Sequence, residues 1–212
     1  MGAPDDGRQT VITSYVAVGD SFSAGIAGQT PWPDLVAARL SDASSGLSYC
    51  NFAAVGVMTH EVAADQLGPA LARRPDLISL ICGANDVILS VRPDEREFAR
   101  TLEAIFERIR AEAPAALVVT ATYPAIAPAG SRPRTRRRVR DGILAFNATI
   151  RRASLAHGAL CLDWQAHDEV GSPHNFAADG FHPSDRGHRL AADSFLAAVA
   201  GALTPQTTSE VA

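Results

Sequence analysis

An apolar run, Tyr15 to Val18, breaks directly into Gly19-Asp20-Ser21. A serine displayed at a strand end can act as a nucleophile if a base lies within hydrogen-bond reach. "DGFHPSDRGH" at 179–188 offers one, because Asp179 and His182 stand three apart. One loop turn can hold both, with the carboxylate on one ring nitrogen and the other nitrogen left for a hydroxyl. "NFAAVG" at 51–56 and "GAND" at 83–86 add Gly56 and the amide side chain of Asn85. Each residue also has a plainer reading. Gly, Asp and Ser all favour turns, and Ser21 could cap a helix. Gly56, Asn85 and Asp86 could be turn or cap residues, and Pro183-Ser184 reads as a helix start. His60, His157, His167, His174 and His188 are rival bases, but none combines an acid three residues earlier with a strand-end position, and His188 falls in the following helical segment. A metal site built from His167, His174, Asp179 and His182 lacks H-E-x-x-H or paired-cysteine spacing, so no metal is expected.

The elements that must position these residues follow from hydrophobic spacing. Five short apolar runs, at about 15–18, 48–54, 77–82, 116–122 and 159–163, are too short for ordinary helices and several are rich in Val, Ile or Leu. Helical spacing predicts segments at 33–41, 60–67, 94–112, 136–156 and 184–200. The clearest places Phe98, Leu102, Ile105, Phe106 and Ile109 on one face between Pro93 and Pro114. Strand and helix in alternation predict an α/β domain whose parallel sheet is covered on both sides. Ligands bind beyond the carboxyl ends of strands in such a sheet. Ser21, Gly56, Asn85 and the 179–182 pair all follow such runs, so they are expected on one edge.

Composition narrows the classes. The chain has 212 residues, 47% of them hydrophobic and 20% charged, which suits a single globular domain spanning 1–212 with its core at about 14–200 and loose polar ends at 1–10 and 203–212. All 19 basic residues are arginine, so a Walker A loop, a pyridoxal Schiff base and a lysine nucleophile are excluded. No G-x-G-x-x-G follows a strand. The net charge of −4 gives no sign of a nucleic-acid partner. "MGAPDDGRQT" lacks the basic and apolar regions of a signal peptide, and no apolar run would span a bilayer. Cys50, Cys82 and Cys161 are odd in number and read as reduced core residues. A cytoplasmic location without a membrane partner is the expectation.

"GDS" at 19–21, "NFAAVG" at 51–56, "GAND" at 83–86 and "DGFHPSDRGH" at 179–188 stand in the order of the SGNH (GDSL) hydrolase family, which the chain resembles over about 14–200. The resemblance implies a three-layer α/β/α, flavodoxin-like fold with a five-stranded parallel sheet. It also implies hydrolysis of a carboxylic ester or thioester through an acyl-Ser21 intermediate, without cofactor or metal. His182 would be the base and Asp179 its orienter. The oxyanion hole would combine the backbone N–H of Ser21 and of Gly56 with the Asn85 amide. An acyltransferase using the same site, or a non-catalytic ligand-binding module on the fold, are the alternatives. The surroundings of Ser21 are not the G-x-S-x-G elbow of α/β-hydrolases, because Ser23 replaces the second glycine. The substrate is expected to be a small ester or thioester. No long apolar stripe marks an acyl chain and no aromatic platform marks a sugar. "RPRTRRRVR" at 132–140 reads either as a solvated loop running into an arginine-rich helix or as a docking surface in which Arg136, Arg137 and Arg138 meet the phosphate of a coenzyme A-linked or carrier-linked substrate.

Overall fold

The computed structural model describes residues 11–26, 28–43, 46–167 and 169–204, so the expected loose ends, apart from 203–204, lie outside the described residues. Five parallel strands form one sheet: β1 Ser14–Gly19, β2 Ser48–Asn51, β3 Leu77–Ile81, β4 Leu117–Ala121 and β5 Leu160–Leu162, in spatial order β2-β1-β3-β4-β5. Every residue of β1 and β3 is buried, which is why these strands read as continuous apolar runs. The edge strands β2 and β5 are only partly buried and carry Cys50 and Cys161, so of the three free cysteines only Cys82 lies fully in the core.

Two long helices, α2 (Trp32–Ala43) and α8 (Asp185–Leu203), pack together on one face. The other face carries α6 (Glu95–Glu112), α7 (Pro133–Ala156) and a broken helical stretch. That stretch runs through α3 (Thr59–Glu61), a wide turn at Val62–Gln66 and α4 (Leu67–Leu71). The apolar stripe of α6 is buried as its spacing predicts, and Asp94 starts the helix by accepting from the N–H groups of Arg96 and Glu97. Phe98 stacks on Phe146 of α7 with ring centroids 4.2 Å apart.

Two short helices fall outside the predicted helical segments, although Ser21, Asn85 and Asp86 had alternative readings as caps: α1 (Ser21–Ala24), directly after β1, and α5 (Ala84–Ile88), after β3. Four or five residues cannot nucleate a helix alone, so the surrounding fold must hold them. The strand order reverses between β1 and β3, and the crevice beyond such a reversal is where this architecture takes ligands. Both short helices open there.

Candidate active site

Gly19 begins the site. Its φ is +145°, and a Cβ there would stand 2.0 Å from the carbonyl oxygen of Ile81, so only glycine lets β1 end this close to β3. Gln66, on the wide turn, clamps it from the other side: Gly19 N–H donates to Oε1 at 2.7 Å, and Nε2 donates to the Gly19 carbonyl at 3.0 Å. Asp20 N–H then donates to Ile81 O at 2.9 Å. The Asp20 carboxylate caps α1, accepting from Phe22 N–H at 3.0 Å and from the Tyr123 hydroxyl at 2.8 Å. Asp20 is fully buried, and burial pushes its carboxyl up to about 6 against the pull of those hydrogen bonds. Tyr123 is itself fastened to Asn147 of α7 through both backbone groups, at 2.8 and 2.7 Å. Ser21 is therefore the first residue of α1, and the cap is Asp20.

Ser21 Oγ lies 2.9 Å from His182 Nε2, and His182 Nδ1 lies 2.6 Å from Asp179 Oδ2. The other Asp179 oxygen accepts from the backbone N–H of Phe181 and of His182, at 2.9 and 3.0 Å. Partial burial raises the Asp179 carboxyl, but the hydrogen bond from His182 and those two N–H groups outweigh it and hold the group below its ordinary value. An ionised Asp179 accepts the hydrogen bond from Nδ1–H of His182, which keeps the proton there and leaves Nε2 to accept from the serine. The loop is tied at several points: Phe176 bridges Pro183, Ala177 N–H donates to His182 O at 2.8 Å, and Ala129 N–H donates to Asp179 O at 2.7 Å. Phe22 meets Phe181 and Tyr123 edge-on, at 5.2 and 4.9 Å.

Ser21, Gly56, Asn85, Asp179 and His182 line one cleft of about 550 Å³, with Val55, Ile88, Leu89, Pro128 and Phe181 as its apolar walls. Asn85 sits in the first turn of α5 and gives one amide hydrogen to Val57 O at 2.8 Å. That bond fixes the side chain and leaves its second hydrogen available. Gly56 adopts a φ of +83° on an exposed turn. Asp86 does act as a cap, though for another element: its carboxylate accepts from the N–H and the hydroxyl of Thr59 at the start of α3, both at 3.0 Å.

The rival histidines lie elsewhere. His188 is in α8, fully buried, where its Nδ1 accepts from Trp32 N–H at 3.2 Å. Burial drives it down to about 4, so it is neutral at pH 7. His157 pairs with Glu103 and stacks on Phe106. Among the described residues, no cluster of three or more His, Cys, Asp or Glu is arranged to hold a metal ion.

The arginine segment does not enter the cleft. α7 begins at Pro133, three residues earlier than its spacing predicts, so most of the cluster is helical. Arg138 turns inward and donates to Val87 O at 2.9 Å and to Ser90 O. Arg136, Arg137 and Arg140 face outward around a separate hollow.

A sequence profile of the GDSL-like Lipase/Acylhydrolase family matches residues 17–190. The chain belongs to that family. It is an esterase-type hydrolase by that membership. Solved structures with the same fold include the lipase/acylhydrolase from Enterococcus faecalis (23% identity, 92% of this chain and 99% of that one, TM-score 0.72). Phospholipase A1 from Streptomyces albidoflavus is similar at 21% identity, 88% and 99% coverage and a TM-score of 0.65. A variant of the acetyl xylan esterase from Geobacillus stearothermophilus is similar at 20%, 87% and 93% coverage and 0.69. No curated protein matches the chain. For this GDSL-family chain the residues missed by sequence reading are Asp20, Gln66, Tyr123 and the apolar cleft wall. Asp20 alone had a signal, its place within the GDS block.

Proposed function

We propose that the protein hydrolyses a carboxylic ester or thioester through an acyl-Ser21 intermediate. The observation that carries this reading is the continuous chain from Ser21 through His182 to Asp179, at 2.9 and 2.6 Å, opening onto a cleft that also holds Gly56 and Asn85. His182 takes the hydroxyl proton as Ser21 Oγ attacks the carbonyl carbon, and Asp179 holds the imidazole and stabilises its charged form. Negative charge then collects on the former carbonyl oxygen. The N–H of Ser21, at the N-terminus of α1, the N–H of Gly56 and the Asn85 amide are the donors proposed to meet it. As the tetrahedral intermediate collapses, His182 returns the proton to the leaving alcohol or thiol. Water, activated by the same histidine, then frees the acyl group and restores Ser21.

The walls of the cleft favour an apolar acyl group, since Val55, Ile88, Leu89, Pro128 and Phe181 surround the nucleophile. The arginines of α7 have no part in the chemical step. A fluorophosphonate probe tests the reading directly. Wild-type protein should gain one adduct at Ser21, and Ser21→Ala should lose both the adduct and turnover, the latter by about 10⁶. Ester hydrolysis by Ser21→Ala within tenfold of wild type would refute it.

A further inference from the structure

α5 is a weak element in an exacting place. Its first turn carries Asn85, and its last residue, Ile88, lines the cleft together with Leu89, which follows. So short a helix does not hold itself together, and Leu89 is 59% exposed, so burial does little to fix this wall. The first turn is anchored through side chains: Asn85 donates to Val57 O, and Asp86 accepts from Thr59. The other end has backbone carbonyls to satisfy instead.

The partner for that end comes from α7. Gly142 lies so close to α5 that a Cβ there would stand 2.7 Å from Cγ1 of Val87, whose side chain is fully buried. Arg138 stands one turn earlier on the same face of α7. It donates from Nη1 to Val87 O at 2.9 Å and also to Ser90 O. One nitrogen thus bridges two carbonyls that bracket Ile88 and Leu89. Among the described residues no other side chain donates to either carbonyl. Hydrogen bonds from a charged donor are about twice as strong as neutral ones.

We infer that Arg138 is a positioning residue that sets acyl-chain specificity. It acts through the carbonyls it holds. While they are bound, Ile88 and Leu89 form a fixed wall beside the acyl group. When they are released the wall shifts, and longer acyl groups lose contact first. The inference rests on the ester-hydrolase reading for its effect on substrates, but not for the tie between α7 and α5.

Hydrogen exchange reads that tie without any substrate. Arg138→Met keeps an apolar stem and loses the donors. Amides of residues 87–91 should then exchange about tenfold faster or more, with α6 and α8 protected as in wild type. Arg138→Lys should recover part of the protection, since both bonds come from a single nitrogen. On p-nitrophenyl esters of graded chain length, Arg138→Met should raise KM for the hexanoate by about tenfold, equivalent to lost contact with about two methylenes. The rise should shrink toward the acetate, and kcat should fall far less than KM rises. Unchanged exchange at 87–91 would overturn the tie, and faster exchange in every element would make Arg138 a general stabiliser instead. A fall in kcat shared by all esters, or an equal KM shift for all, would overturn the role in specificity. Wild-type protein that takes no fluorophosphonate at Ser21 would overturn the hydrolase reading alone, and the exchange result would still decide the tie.

Discussion

Replacing Asp20 by Asn tests the least exposed charge in the site. The amide keeps the shape, its oxygen can accept from Phe22 N–H, and its NH₂ can donate to the Tyr123 oxygen, so both contacts of the carboxylate have a substitute. What disappears is the titration. In the folded protein burial pushes Asp20 from its ordinary 3.8 to about 6, so between these values the native state binds a proton that the unfolded chain has released. Stability from this group is full below pH 3.8 and is lost as pH rises through 6. A displacement of that size corresponds to about 3 kcal/mol. Wild type should therefore lose about 3 kcal/mol relative to Asp20→Asn between pH 3.5 and 7.

The measurement is urea unfolding of both proteins at closely spaced pH values, taking the difference so that every other titrating group cancels. Tyr123→Phe is the companion variant. It removes a donor that favours the ionised carboxylate, so the falling limb should move to higher pH. Wild-type and Asp20→Asn curves running parallel across this window would refute the reasoning, because a constant offset means that Asp20 does not take up a proton there.

Asp179→Asn should lower kcat by as much as about 10⁴ with little change in KM, because the amide imposes the wrong imidazole tautomer; steady-state kinetics on a soluble ester checks it. Asn85→Ala should lower kcat by about 10² to 10³ with substrate affinity kept, and a rise in KM alone would make Asn85 a binding residue. Gly19→Ala should abolish the folded protein, since its Cβ would meet the Ile81 carbonyl oxygen at 2.0 Å, whereas Gly201→Ala in α8, with nothing within 4 Å, should raise the melting temperature slightly; thermal melts of the pair decide.

The parts of the site that were readable from sequence are those whose partners are local or whose strands are buried on both faces. Asp179 and His182 are three residues apart, and β1 and β3 announce themselves as apolar runs because water reaches neither side of them. Ser21 and His182 were paired across 161 positions only through the order of the four motif blocks, and distant contacts outside those blocks leave no such trace. Gln66 reaches Gly19 across 47 positions and Tyr123 reaches Asp20 across 103, and nothing in either side chain's own neighbourhood predicts the meeting. The cleft wall was missed for a related reason. Val55, Leu89, Pro128 and Phe181 come from four loops, so no periodic stripe exists to be found. α1 and α5 are too short to show helical periodicity and are held by their surroundings, α1 by the Asp20 cap and α5 by the bond from Asn85 to Val57.

These long-range contacts explain why the first strand ends in Gly-Asp-Ser. Glycine permits the approach to Ile81, aspartate turns the chain into α1 and ties it through Tyr123 to α7, and serine is then the first residue presented to His182. Each of the three residues has a separate task, and the order is fixed because each task sets the position of the next. The same logic separates Arg138 from its neighbours. Its guanidinium is used in holding the loop of Val87 to Ser90, while Arg136, Arg137 and Arg140, one helical face away, remain turned outward. A run of identical residues thus divides into a structural member and an exposed set once the helix phase is known. The exposed set is where the charge of the segment is available to a partner.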